Sequence, residues 1–222
     1  MQGLQVMKVL ITGANGQLGH ELVRAAIASG HEVVATSHET LDITDKSAVD
    51  AAITAARPDV VIHAAAWTAV DACESDPDKA LLVNGTATKY VVDAAHAVGA
   101  HVVYISTDYV FDGNKTSGYD EGDTPNPQSV YGSSKLAGER ALGTNDAIVR
   151  IAWVCGFYGA NMVKTILRLA EQPQLKFVDD QIGNPTFADD AAEMIVRIAT
   201  EKRSGAWHVT NQGDVSWYEF AR

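Results

Sequence analysis

Val9-Leu10-Ile11-Thr12-Gly13-Ala14-Asn15-Gly16-Gln17-Leu18-Gly19 is the stretch on which the fold turns. Its first four residues are a short apolar, β-rich run that the glycines break. Leu22, Val23, Ala26 and Ile27 then recur at helical spacing up to Gly30. The reading is strand, glycine turn, helix. Such a turn aims several backbone N–H groups and the positive end of a helix at one spot, which suits a pyrophosphate. Gly13 permits the tight turn, Gly16 lets phosphates approach the backbone where a Cβ would clash, and Gly19 lets the helix pack closely on the sheet. The spacing is G-x-x-G-x-x-G, not the G-x-G-x-x-G of the ordinary dinucleotide fingerprint, and a glycine turn without a ligand is the plainer alternative.

The same alternation continues outward. Strands are predicted at 31–36, 59–64, 101–106, 147–151, 175–178 and 207–210, and helices at 46–56, 77–98, 131–142, 162–170 and 188–199. Strands alternating with helices imply an α/β fold, a doubly wound parallel-sheet Rossmann domain covered on both faces. The pattern loosens after Trp153. We expect a dinucleotide-binding domain over 1–152 and a smaller substrate-binding lobe over 153–222, some of whose elements return to the main sheet. Residues 1–6 add little, and Met7 is the start that matters for the fold. At the other end, Ser216-Trp217-Tyr218-Glu219 reads as a capping box with only three residues after it, so the lobe is expected to be incomplete at Arg222.

Composition narrows the function classes. The chain has 222 residues, 46% hydrophobic and 20% charged, enough to bury a sizeable core. Seventeen Lys and Arg stand against 28 Asp and Glu, a net charge of −11 with no basic cluster, which disfavours nucleic acid and anionic membranes as partners. The two cysteines, Cys73 and Cys155, lie far apart, and no His or Cys spacing suggests a metal site or disulfide framework. No run of roughly 18 apolar residues suggests a membrane span. A cytoplasmic setting is the simplest expectation.

Chemistry gathers at the strand ends. Tyr131 and Lys135 are four apart, so a helix puts phenol and ammonium on one face, where the cation should favour the phenolate and bring Tyr131 towards use near neutrality. Ser106-Thr107-Asp108 ends a predicted strand, where open α/β sheets place their ligands, and the Thr107 hydroxyl could hold a substrate oxygen or cap the turn. The loop 108–128 is long for a compact domain, a sign of function. Asn84 interrupts a helical pattern, either as a polar kink serving the site or, the simpler explanation, as an exposed turn of helix. His63 reads as a satisfied strand histidine. The small residues Ala64-Ala65-Ala66 beside Trp67 would let a flat cofactor lie close to the backbone. The second strand ends in Thr36-Ser37-His38, with neither an acid for a ribose nor an Arg for a 2′-phosphate, leaving NAD against NADP open.

Together with Leu41-Asp42-Ile43-Thr44-Asp45, Arg57-Pro58-Asp59-Val60-Val61-Ile62 and Ala64-Ala65-Ala66-Trp67-Thr68-Ala69-Val70-Asp71, these residues resemble the extended short-chain dehydrogenase/reductase superfamily. Four further segments narrow the likeness: Ser106-Thr107-Asp108-Tyr109-Val110-Phe111-Asp112-Gly113, Val130-Tyr131-Gly132-Ser133-Ser134-Lys135-Leu136-Ala137-Gly138-Glu139, Arg150 with Ala152-Trp153-Val154, and Asp180-Gln181-Ile182-Gly183-Asn184-Pro185-Thr186. With them the chain is similar to the dTDP-4-dehydrorhamnose reductase family. The resemblance implies reduction of a C4 keto sugar nucleotide by NADPH or NADH. It implies Tyr131 as proton donor, with Lys135 tuning it and binding the nicotinamide ribose, and Thr107 on the carbonyl. It further implies Asp108 and Trp153 on the substrate, and Gly13, Gly16, Gln17, Leu18, Gly19, Asp42, Ile43, Ala66, Trp67, Thr68 and Ile105 around the cofactor. Some relatives hold Mg2+ at a dimer contact; the sequence supplies no sign of the ion, and a homodimer is the expected assembly. Two other functions share these motifs. One is a non-catalytic NADP-binding regulator similar to that of methionine adenosyltransferase, and the other is a nucleotide-sugar epimerase or dehydratase.

Overall fold

The computed structural model describes residues 5–222; residues 1–4, part of the N-terminal stretch given little weight above, lie outside it. In chain order the elements begin with β1 (Lys8–Thr12), α1 (Gln17–Ala28), β2 (Glu32–Thr36), α2 (Lys46–Ala56) and β3 (Val60–His63). Next come α3 (Val70–Ser75), α4 (Pro77–Leu81), a π turn (Leu82–Thr86), α5 (Ala87–Ala97), β4 (His101–Thr107), a 3-10 turn (Asp108–Val110), α6 (Val130–Glu139) and β5 (Ala147–Ile151). The chain then runs through β6 (Val154–Cys155), α7 (Met162–Leu169), β7 (Ile182–Gly183), β8 (Thr186–Phe187), α8 (Ala188–Thr200), β9 (Gly205–His208), β10 (Val215–Ser216) and α9 (Trp217–Phe220).

Six of these strands form one parallel sheet in the order β2-β1-β3-β4-β5-β9. The sequence of the inner strands explains the double winding. Val9, Ile11, Val60, Ile62, Val103, Ile105 and Val149 meet α1 and α8 on one face, while Leu10, Val61 and Val102 meet α2 and α5 on the other. Strand side chains alternate between faces, so a continuous apolar run needs cover on both. The edge strands β2 and β9 are correspondingly more exposed.

The chain leaves β1 to one side for β2 and then crosses to the other side for β3. That reversal opens a crevice at the carboxyl ends of β1 and β3, the usual place for a ligand in such sheets. The backbones meet there closely: a Cβ on Gly13, whose φ is +70°, would lie 2.7 Å from Ala65 N and 2.8 Å from Ala65 Cα.

Three sequence expectations are corrected. Residues 175–178 form no strand, because the segment finds no ladder partner and receives one backbone hydrogen bond, from Tyr218 N–H to Val178 O. The helix expected over 77–98 is divided by the π turn, which opens from α4 after Asp76 caps that helix. The third concerns Asn84, described with the site. Beyond β5 the chain also forms two short pairs off the main sheet, β6 with β8 and β7 with β10, while β9 rejoins the sheet beside β5 and α8 packs against α1.

Because Gly13 combines a left-handed φ with backbone contact on Ala65, Gly13→Ala is expected to lower stability by about 2 kcal/mol or more. Urea unfolding of the two proteins reads the difference, and an unchanged midpoint would contradict the close approach.

Candidate active site

Helix α1 begins with no side chain capping it. Gly16 occupies the N-cap, and a Cβ there would meet only Gly13 O, at 3.1 Å. The first N–H groups of the helix are therefore left without a side-chain partner, as a pyrophosphate site requires. At Gly19 a Cβ would collide with the Gly13 carbonyl oxygen, so helix and turn can approach only without one. The turn is braced on both sides. Ala14 N–H donates to Thr36 O at 2.9 Å, and Gln17 spans outward, Nε2 donating to Val154 O at 2.9 Å and Oε1 accepting from Asn161 Nδ2 at 2.8 Å. Leu18 points into the core. A dinucleotide fits this cradle.

The other expected residues stand at neighbouring strand ends. Thr107 closes β4 and its Oγ1 donates to Asp108 Oδ1 at 2.9 Å while accepting from Tyr109 N–H at 3.3 Å, so it does cap the turn. On α6, Tyr131 is buried with the Tyr109 ring at its edge, centroids 5.5 Å apart. Lys135 is buried one turn later, its Nζ donating to Ile105 O at 2.6 Å and lying 4.1 Å over the Tyr104 ring. Ser129 starts this helix by accepting from Gly132 N–H.

Asn84 overturns the exposed-turn expectation. It is 1% exposed, held by the π turn, and its amide takes both backbone groups of Trp67: Trp67 N–H donates to Oδ1 at 2.8 Å, and Nδ2 donates to Trp67 O at 3.0 Å. Nδ2 also donates to Ser134 Oγ at 3.0 Å, joining the stretch after β3 to α6. π bulges commonly occur where a helix must present a side chain out of phase. Trp67 packs beside Tyr131 and Cys73, and Lys79 lies 4.4 Å over its ring. Ala66 and Thr68 flank it on the partly open surface.

Trp153 follows β5 with φ +46°, and its indole is sandwiched. Trp217 stacks on one face at 3.5 Å, and a Cβ on Gly183 would stand 2.6 Å from the ring. On the far side of the sheet, Asp42 accepts from the N–H and hydroxyl of Thr44 at 2.9 and 2.7 Å, hydrogen bonds that hold its carboxyl below the usual range. The Ile43 side chain is buried in the core, leaving its backbone to line the surface.

The electrostatics correct the expected phenolate. Burial foremost, then the nearby Asp108 charge, push the Tyr131 phenol up, and the Thr107 hydroxyl only partly counters them. Lys135 is itself driven down to about 7 by burial, against the pull of Glu139. Desolvation outweighs the cation, so the phenol keeps its proton. His63, bonded between Thr12 and Thr88 hydroxyls and likewise pushed down to about 3, is a neutral structural histidine. Burial also raises Asp108. Among the described residues no three His, Cys, Asp or Glu side chains converge as a metal ion would need, and no helix is long and apolar enough to cross a membrane.

Residues 7–222 match the model of the RmlD substrate binding domain. The chain belongs to this family. It is 45% identical over 218 residues to the spore coat polysaccharide biosynthesis protein SpsK of Bacillus subtilis, an alignment covering 96% of the chain and 77% of the relative. It is 42% identical to the dTDP-4-dehydrorhamnose reductase of Aggregatibacter actinomycetemcomitans, covering 96% and 76%. Among solved structures, the dTDP-4-dehydrorhamnose reductase of Bacillus anthracis in complex with NADP superposes with a TM-score of 0.93 at 42% identity, over 98% of this chain and 79% of that one.

Around these residues stand Ser134, Trp217 and Glu139, which were given no role by the sequence reading, and Asn84, whose role as a polar kink serving the site was set below an exposed turn. A signal existed for Asn84, the one amide in a run of small and apolar residues between Ala80 and Ala87. For Trp217 nothing local could have pointed to Trp153, since the stack depends on where β7 and β10 pair.

Lys135 has a measurable cost to the fold. It keeps its proton to its ordinary 10.5 when unfolded but only to about 7 when folded, so the unfolded chain binds more protons between those values and stability rises with pH across that window. Lys135→Met should therefore be more stable than the parent at pH 6, by up to about 4 kcal/mol, with the advantage vanishing near pH 10. Urea unfolding at both pH values checks this.

Proposed function

We propose that the chain reduces the C4 keto group of dTDP-4-dehydro-L-rhamnose to dTDP-L-rhamnose, using NADPH or NADH. The observation that carries this reading is the meeting of Thr107, Tyr131 and Lys135 at the end of β4, across the crevice from an uncapped glycine turn. Reductases of that name at about 42% identity support the substrate, and the NADP-bound neighbour supports the cofactor. They favour the enzyme over a non-catalytic regulator or an epimerase.

In this reading Gly13, Gly16, Gln17, Leu18 and Gly19 hold the pyrophosphate through their backbone, and Asp42 and Ile43 flank the adenosine. Ala66, Trp67, Thr68 and Ile105 line the nicotinamide side, with Lys135 on its ribose. A nicotinamide held there would supply the hydride for C4. Negative charge then develops on the C4 oxygen, and Tyr131, kept protonated by burial, donates its phenolic proton there. The Thr107 hydroxyl donates to the same oxygen and fixes its position. Asp108 and Trp153 hold the sugar nucleotide. Residues 1–152 act as the dinucleotide domain and 153–222 as the substrate lobe. A cytoplasmic homodimer completes the reading, and the free, buried state of Cys73 and Cys155 accords with a reducing compartment.

Replacing Tyr131 by Phe removes the proton and little else. Turnover should fall at least about a hundredfold, with dinucleotide affinity within about twofold of the parent. NADPH oxidation with dTDP-4-dehydro-L-rhamnose, beside fluorescence titration of NADPH, measures both. An active Phe variant, or a parent that binds NADPH without net oxidation of it, overturns the proposal.

A further inference from the structure

The mechanism leaves a buried ion pair unused. Glu139 and Arg150 are each 6% exposed and joined by two hydrogen bonds, Nε to Oε1 at 2.9 Å and Nη2 to Oε2 at 2.8 Å. Burying a charged pair yields little net stability compared with apolar residues of similar volume, so its position invites a reason. Ser106 Oγ donates to the same Glu139 oxygen at 2.5 Å. Ser106 stands between Ile105, whose carbonyl holds Lys135 Nζ, and Thr107. Glu139 stands on α6 one turn beyond Lys135 and two beyond Tyr131. Arg150 is the register partner of Ser106 on β5, and its guanidinium lies 4.9 Å over Phe111 on the loop that leaves Thr107.

One carboxylate therefore ties the helix bearing Tyr131 and Lys135 to the strand end bearing Thr107. Close packing fixes the helix across the strand, since a Cβ on Gly138 would collide with the Tyr104 hydroxyl and stand 2.6 Å from Asn84 O. The Glu139–Ser106 bond adds a tie along the strand to those made by Lys135 Nζ on Ile105 O and by the Tyr104 hydroxyl on Lys135 O. We propose that Glu139, with Arg150 as its counter-ion, is a positioning residue of the active site, holding α6 in register with the end of β4 so that Lys135 and Tyr131 face Thr107.

The same carboxylate bears on the Lys135 ammonium. The titratable groups around that ammonium are Tyr131 and Glu139 from its own helix, Tyr104 from β4 and His63 from β3, with Arg150 of β5 behind Glu139. Among them Glu139 supplies the negative charge that opposes the burial of Lys135. Loss of Glu139 should therefore move Lys135 deprotonation to lower pH, a shift that a merely structural role would not produce.

This inference rests on the reductase reading, and the experiment separates the two. Glu139→Gln, the charge-neutral pair Glu139→Gln with Arg150→Met, and Ser106→Ala are compared with the parent. The paired variant serves if Gln alone, facing an uncompensated Arg150, fails to fold. Turnover should fall about ten- to hundredfold in each with KM for NADPH within about threefold, and the alkaline limb of the kcat profile should move down by about one pH unit in Glu139→Gln, and by less in the paired variant, where the Arg150 charge is lost as well. Lysine-selective 13C NMR, with Lys135→Met to assign the resonance, reads the same shift without substrate. If the parent turns over no sugar, the reductase reading fails while the NMR arm still decides this one. An unmoved Lys135 titration in a folded Glu139 variant, or parental kcat in Ser106→Ala, overturns the proposal.

Discussion

A parallel sheet buried on both faces leaves the chain few places to present polar groups to solvent. The inner strands β1, β3, β4 and β5 are apolar toward both helical layers, so reactive side chains must gather where strands end. Gly13, Ala64 to Thr68, Thr107 with Asp108, and Ala152 with Trp153 follow from this. They leave four neighbouring strands at the same end of the sheet. The site is thus a property of the sheet edge rather than of any one loop, and its precision comes from strands that cannot slip without exposing their apolar faces.

Burial then sets the chemistry. Within a few residues the fold strips solvent from a lysine, two tyrosines, a histidine and a glutamate, and the outcome differs with the partner each finds. His63 has two hydroxyls and no acid, and stays neutral. Glu139 has a bidentate arginine. Lys135 has only a carbonyl oxygen and a ring face, with its nearest acid one turn away, and it is left close to neutral pH. A proton poised there can be tipped by a modest change in surroundings.

The parallel sheet and the strand-end residues were legible because each is written in local pattern: apolar runs of strand length, glycines at a turn, a Tyr and a Lys four apart. What was not legible depends on long-range pairing. Leu175 to Val178 has strand composition, yet it finds no ladder partner. Asn84 looked like surface because helical periodicity assumes an unbroken phase, and the π turn alters that phase. The Tyr131 expectation counted the adjacent cation and omitted desolvation, which no sequence displays.

Gln17 spends both ends of its amide on the segment beyond β5, one on Val154 O and one on Asn161. The residue that opens α1 is thus also a tether to the chain that follows β5. Whatever orders one side through this amide lowers the conformational entropy left to be lost by a ligand ordering the other.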